Sequence, residues 1–287
     1  VPFSDELLLF SDRVQFRVTS GQVLSAETVG ITAASAYPCS LDTPPVIVGN
    51  SSYFLADGAT HSVARELFFL PDGETLSGED ISVQVPSYIP KNITTLVWSE
   101  TTELLVALSK DNPQDLYVYK WYTTERRKVQ SAWSKWTVGP DNVFGIGFFD
   151  QYLYLLYHDG PRIRVSRMAV GPVIEQPLLL DHYMTEADMT SITYDGGTNV
   201  STVVLPTPFE ETFRFFRTDD GSGIEYHVTK IDNATYDIEG DITGHGFYSG
   251  LDYEFLYRFS NQYLREDTKD GESAIQDGRL QLKYFSL

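Results

Sequence analysis

The sequence predicts an all-β protein, with β-propeller-like repeated blades followed by a smaller antiparallel β domain. Three observations carry this expectation. The chain has 18 Tyr and 17 Phe with frequent Val, Ile and Thr, residue types that suit strands. A helical period of 3.6 residues is absent almost everywhere. A short unit also recurs: an apolar strand, a polar turn, then an alternating strand. It reads ELLLFSDRVQFRV (6–18), PVIVGNSSYFLADG (45–58), TELLVALSKDNPQDLYVYKWY (102–122) and QYLYLLYHDGPRIRVSRM (151–168). A loose repeat of 40–50 residues suits propeller blades, and a β-sandwich with a meander is the competing architecture.

Each unit has turn chemistry where a turn is needed. Asn50-Ser51-Ser52, Asp111-Asn112-Pro113 and His158-Asp159-Gly160-Pro161 separate the paired strands of the second, third and fourth units. In the third unit, Leu116, Val118 and Lys120 alternate with Tyr117, Tyr119 and Trp121. Both sets are largely apolar, so both faces of that strand are expected to be covered. Residues 1–172 are therefore expected to be the propeller-like portion. Gly171-Pro172 and Pro177 interrupt regular structure, and 173–190 reads as a connector with a short helix over 184–190. Strands resume at 191 as SITYD, STVVLP, ETFRFFR, IEYHVTK, YDIEGD, LDYEFLYRF and GRLQLKYFSL. Residues 191–287 are expected to form the smaller domain.

Composition narrows the function. The 287 residues carry a net charge of −19, with 13 basic and 20 acidic side chains in 1–180 and 8 and 20 in 181–287. Ordinary nucleic-acid binding needs cations to neutralise phosphates, so this balance argues against it. Solubility is the common meaning of such charge, and a lumen lined with carboxylates, along which DNA slides without sticking, is the functional one. A lone cysteine, Cys39, forms no intramolecular disulfide and no Cys-based zinc knuckle, and a reducing cytoplasm suits it. No apolar run reaches the length of a bilayer-spanning helix, and no signal peptide is recognised.

Catalytic patterns fail in turn. His61, His158, His182, His227 and His245 form no HxH, HExxH or His–Cys pair. Ser249 in GFYSG lacks nucleophile-elbow spacing, and Gly145-Ile146-Gly147 is too short for a dinucleotide loop. Glycoside hydrolysis needs two carboxylates facing across a cleft, but 40 acidic residues make chance pairs certain, and no SxDxGxxW box occurs. Glu210-Glu211, Asp219-Asp220 and Asp237–Asp241 read as solvated acidic turns, with loose calcium binding the minority alternative. Sequons at Asn50, Asn92, Asn199 and Asn233 carry little meaning without a secretory signal. No catalytic, cofactor-binding or metal-binding residue is expected, and the chain reads as no enzyme.

The most distinctive stretch is 115–138, DLYVYKWYTTERRKVQSAWSKWTV, a hairpin whose aromatics Tyr119, Trp133 and Trp136 form a structural signature over a β core. Its QSAWSKWT resembles the QxAWSxWT segment of the tail nozzle proteins (tail tubular protein B) of T7-like short-tailed bacteriophages. Other segments resemble that family in the same order: ELLLFSDRVQFRVTSG (6–21), LSAETVGITAASAYPCSLDTPPVIVGNSSYF (24–54), EDISVQVPSYIP (79–90), GFYSGLDYEFLYRFSNQYLRE (246–266) and GRLQLKYFSL (278–287).

The resemblance implies a structural virion protein of the phage tail, assembled in the cytoplasm of the bacterial host. It implies a homo-oligomeric sixfold ring below the adaptor ring (tail tubular protein A). Tail fibres would dock near the junction, and viral DNA would pass through transiently during ejection. It further implies outer propeller-like domains and a smaller β domain at the tube tip. Family members are more than twice as long as this chain. On this reading the acidic loops at Glu210, Glu211, Asp219 and Asp220 are candidates for lumen or tip positions. The alternative is a glycan-binding or glycan-cleaving β-propeller acting at a bacterial cell surface, whose Tyr- and Trp-rich loops would stack on sugars. A propeller scaffold for protein partners ranks last.

Overall fold

The computed structural model describes residues 1–3, 6–19, 25, 27–70, 75–99, 101–124, 127–139, 142–171, 180–219, 223–257, 264–268 and 271–275. The chain is all-β in small antiparallel sheets and divides into two compact units, Val1–Glu175 and Gln176–Leu287.

The first unit holds four sheets, each an up-and-down meander of consecutive strands. The first sheet joins β1 (Pro2–Phe3), β2 (Glu6–Phe10), β3 (Gln15–Thr19) and β4 (Gly30–Ser35). The second joins β5 (Val46–Val48), β6 (Ser51–Asp57), β7 (Ser62–Phe69) and β8 (Leu76–Asp80). The third joins β9 (Ile93–Ser99), β10 (Leu104–Ser109), β11 (Asp115–Thr124) and β12 (Arg127–Thr137). The fourth joins β13 (Val143–Phe149), β14 (Tyr152–Asp159) and β15 (Arg162–Ala169). Each of the four recurring sequence units thus supplies two neighbouring strands of a separate sheet. Tight turns fix the registers. Gly49 and Gly160 adopt φ of +57° in the two-residue turns after β5 and β14, a region open to glycine at little cost.

These sheets pack face against face in chain order. Phe3 and Leu8 of the first sheet meet Phe54, Leu67 and Leu76 of the second. Tyr53, Leu55 and Ala64, on the opposite parity of the second sheet, meet Leu105, Ala107, Tyr117, Tyr119 and Trp121 of the third. Leu104, Val106, Leu108, Leu116 and Val118, on the other face of the third sheet, meet Val143, Ile146, Leu153 and Leu155 of the fourth. Strand period two explains why β10 is buried at all six positions: its odd and even residues enter different cores. The sequence signal of two apolar faces at 116–121 has this physical origin.

The second unit has its own core. One sheet runs in the order β16 (Asp181–Thr185), β22 (Phe247–Leu251), β19 (Arg214–Arg217). Another runs β17 (Ser191–Asp195), β18 (Val200–Val204), β21 (Thr235–Glu239), β20 (Val228–Lys230). A hairpin of β23 (Leu264–Thr268) and β24 (Gly271–Ile275) forms a third. Phe213, Phe215 and Phe247 pack on Val203, Tyr236 and Ile238. Tilted ring pairs Phe209–Phe213, Phe213–Tyr236, Tyr236–Phe215 and Phe215–Phe247 stand 4.9–6.3 Å apart between centroids.

Three local expectations differ from the structure. The strand expected at LDYEFLYRF ends early: β22 is FYSGL, and residues 252–257 lie outside any strand. The helix expected over 184–190 shortens to a 3₁₀ turn, Glu186–Asp188. There Asp188 Oδ2 accepts from Thr185 N (2.8 Å) and Oγ1 (2.9 Å), closing a single turn. β16 and this turn occupy part of the stretch read as a connector. The C-terminal strand expected at 278–287 lies outside the described residues.

Candidate functional site

The signature hairpin is the long pair β11–β12, registered from Asp115↔Thr137 to Thr124↔Arg127 with a bulge after Tyr122. Trp133 lies opposite Tyr119 and Trp136 opposite Leu116. Three residues apart on a strand is an odd step, so the two indoles point to opposite faces. Trp133 packs on the core shared with the second sheet, 5.1 Å from the Tyr119 ring, and its Nε1 donates to the Ile81 carbonyl at 2.9 Å. Trp136 packs on the core shared with the fourth sheet. The structure brings Tyr119 and Trp133 together and sends Trp136 to the far side. The signature is therefore a clamp with one tryptophan on each neighbouring sheet, and not a paired stacking platform.

Beside Trp133 lies a charged cluster that the sequence did not announce. Lys128 of β12 reaches across to the Glu66 carboxylate of β7, forming an ion pair between the third and second sheets. Its ammonium stands 5.5–5.7 Å from the ring centroids of Tyr119, Tyr53 and Trp121, a cation held among aromatic faces. Glu66 also accepts from Ser51 Oγ (2.7 Å) and Tyr53 Oη (3.0 Å). Burial works to lower the Lys128 pKa. The hydrogen bond and charge of Glu66 outweigh it, and the net direction is upward. The Tyr53 hydroxyl is pushed up by burial and by the adjacent Glu66 charge. The available signal was a Glu at a core-facing position of an apolar strand, SVARELFF; its partner lies 62 residues away.

The acidic loops of the second unit are organised differently. Glu210 and Glu211 lie in the loop before β19, and Lys230 Nζ donates to the carbonyls of Phe209 (3.0 Å), Glu210 (2.6 Å) and Glu211 (3.0 Å). The loop is thus pinned through its backbone, and both residues are exposed. Asp219 follows β19 and accepts from Arg217 Nε at 2.7 Å, with His245 Nδ1 at 2.5 Å. Those two partners hold its pKa down, to about 2. Asp220 lies outside the described residues.

Three other carboxylates here cap their own turns. Asp195 accepts from Gly197 N, Asp232 from Ala234 N, and Asp241 from Thr243 Oγ1 and N, all at 2.6–2.9 Å, which lowers all three pKa values. Arg214 bridges Glu225 and Asp252. The lowered pKa values of Asp195, Glu225, Asp232 and Asp241 keep these exposed acids ionised at neutral pH. Among the described residues no group of three or more His, Cys, Asp or Glu side chains converges as a metal site. The His182 ring lies tilted against Phe209, 4.9 Å between centroids, and burial lowers its pKa. The Cys39 thiol is buried and pushed up to about 11, chiefly by burial. No helix among the described residues is long and apolar enough to cross a membrane.

The model of a family described as "Bacteriophage nozzle protein" matches residues 1–287. The chain is 24% identical over 303 residues to "Tail tubular protein gp12" of Escherichia phage T7, covering 99% of this chain and 38% of that protein. The chain therefore spans well under half the length of this curated relative.

Proposed function

The chain belongs to the bacteriophage nozzle protein family, and we propose that it forms part of a tail nozzle subunit whose role is mechanical. In this reading the first unit is the propeller-like portion and the second contributes to the tube tip. Copies assemble as a sixfold ring on the adaptor ring, with tail fibres near the junction, and viral DNA passes through during ejection into the host. The subunit acts without catalysis and belongs to the virion. The observation that carries this reading is the family match along the whole chain.

The physics of the second unit supports a passive conduit. A wall that lets DNA slide must not bind phosphates, and persistent negative charge achieves this by repulsion. Asp195, Asp219, Asp232 and Asp241 are held ionised on exposed turns. The loops at Glu210, Glu211, Asp219 and Asp220 are proposed as lumen or tip positions on this ground.

Electron microscopy of the purified protein mixed with its adaptor is the decisive measurement. Sixfold ring particles are expected, and monodisperse protein that never associates with the adaptor ring rejects the proposal. Duplex DNA is expected not to bind the free chain at about 50 mM salt, where phosphate-contacting proteins bind tightly. Tight, salt-sensitive binding would remove the sliding argument.

A further inference from the structure

The charged cluster between the second and third sheets has walls and an occupant, and the walls hold themselves in place. Tyr53 of β6, Glu66 of β7, and Tyr119 and Trp121 of β11 are all buried. Trp121 is stacked on Tyr53 at 5.6 Å and tilted against Tyr119 at 5.5 Å, and Trp133 packs on Tyr119 at 5.1 Å. Ser51 Oγ and Tyr53 Oη both donate to Glu66 Oε1, which fixes the carboxylate and leaves Oε2 for a cation. The occupant, Lys128, reaches this slot through the bulge in β12. In the register of Trp121↔Ser131 and Tyr122↔Gln130, Lys128 would lie opposite Thr124, on the face of Leu116 and Val118. The extra residue, Val129, moves the register to Thr123↔Lys128 and turns Lys128 to the face of Tyr119 and Trp121. Past Trp121 the hairpin runs on without β10, whose register on β11 ends at Lys120. A two-stranded ribbon is marginally stable by itself. Tyr122, Thr123, Thr124, Val129 and Gln130 are exposed, and Lys128 carries the ion pair of this ribbon end with the second sheet.

The chemistry of the slot selects its occupant. The Lys128 ammonium donates to Glu66 Oε2 and, at 3.4 Å each, to Tyr53 Oη and Tyr119 Oη. A primary ammonium has three N–H donors, so each of them meets an acceptor here. A quaternary ammonium suits the ring faces and the charge but has no N–H to donate. A guanidinium is planar and cannot direct its donors as a tripod. We infer that Tyr53, Glu66, Tyr119 and Trp121 form a preformed recognition site for a primary alkylammonium, which the chain fills with its own Lys128 to latch the end of the β11–β12 ribbon to the second sheet. The site recognises the ammonium head and not its tether. A free alkylammonium therefore enters once the lysine side chain is cut back, through the opening that leaves Lys128 27% exposed. The inference rests on the geometry of this cluster and not on the nozzle role.

The test is chemical rescue of Lys128→Ala, in which the atoms removed have the shape of n-propylammonium. Glu66 is left buried without a cation, so the melting temperature should drop by roughly 5 °C or more. Addition of n-propylammonium chloride at about 50 mM should restore about 3 °C of that loss, saturably, as a ligand of the folded state does. The wild-type chain and Lys128→Met, whose slots are already filled, should gain less than about 0.5 °C, which removes any general salt effect. Tetramethylammonium chloride at the same concentration should not rescue Lys128→Ala, because it cannot donate to the three oxygens. Equal rescue by the two salts overturns the selectivity, and no rescue by propylammonium overturns the site. If Lys128→Ala does not fold, Lys128→Arg and Lys128→Met decide: arginine should lose at least half as many degrees as methionine, and an arginine variant as stable as wild type overturns the inference. The latch has its own readout in amide hydrogen exchange. The Tyr122–Thr124 amides should exchange about tenfold faster, or more, in Lys128→Met than in wild type, and unchanged exchange there rejects the latch.

Discussion

In the first unit the notable charge is largely buried: Lys128 and Glu66 meet between two sheets, ringed by Tyr53, Tyr119 and Trp121, with the lysine side chain 27% exposed. In the second unit the carboxylates of Asp195, Asp219, Asp232 and Asp241 stand on exposed turns and bond to partners a few residues away or on a neighbouring loop. A buried pair must satisfy every donor and acceptor or cost stability, so it fixes how two sheets dock. An exposed carboxylate contributes little to stability and is free to set surface potential. The difference teaches that the acidity of this chain bears on its surroundings, whereas its scarcer cations bear on its architecture.

The largest break in that comparison is Glu66→Ala. It leaves the Lys128 ammonium among aromatic rings with no counter-charge and orphans the Ser51 and Tyr53 hydroxyls. A loss of roughly 3 kcal/mol is expected in urea unfolding. The double change Glu66→Leu with Lys128→Met should recover most of it, because no charge then remains buried. A single-variant loss below about 0.5 kcal/mol would class the pair with surface ion pairs. The pH dependence has a definite sign. Lys128 is raised above its ordinary 10.5 in the folded state, so its contribution is complete below that pH. It is lost as pH rises through the higher folded value.

A smaller effect sharpens the role of the tryptophans. Trp133→Phe and Trp136→Phe remove similar ring area from the two faces of one hairpin, but only the first deletes the bond to the Ile81 carbonyl. Trp133→Phe should therefore be the more destabilising by about 1 kcal/mol. Equal losses would mean that the indole N–H contributes nothing beyond packing.

How much of this was legible depends on range along the chain. Hairpins such as Val46–Asp57 are local, and their glycine and asparagine turns announce them. The two-faced burial of β10 and β11 was readable because both parities are apolar over 104–108 and, Lys120 apart, over 116–121. Trp133 and Trp136 were visible as a motif, and their odd spacing already implied opposite faces. Which core each indole enters depends on the order in which sheets stack, and no local pattern encodes that order. Lys128 was invisible for a related reason: its meaning comes from Glu66 on another sheet. The acidic turns were readable as turns, but the hold of Lys230 on the Glu210–Glu211 backbone joins residues about twenty positions apart.

The smallest expected effect, Asp219→Asn, tests the exposed side of the comparison. Asp219 has a folded pKa of about 2, held below the ordinary 3.8 by Arg217 and His245. A depressed acid contributes stability that is present above its unfolded value and lost as pH falls through the folded one. Any stabilising difference between the wild-type chain and Asp219→Asn must therefore exist at pH 7 and vanish between about pH 4 and pH 2. Because the group is exposed, salt near 1 M should screen it at every pH. Thermal melts across that range at low and high salt measure this directly. Near-coincident curves at pH 7 would agree with a carboxylate that acts on its surroundings. A large, salt-resistant loss would mean instead that the Arg217–Asp219–His245 cluster holds the β19 and β22 ends together, and that the second unit also uses charge as architecture.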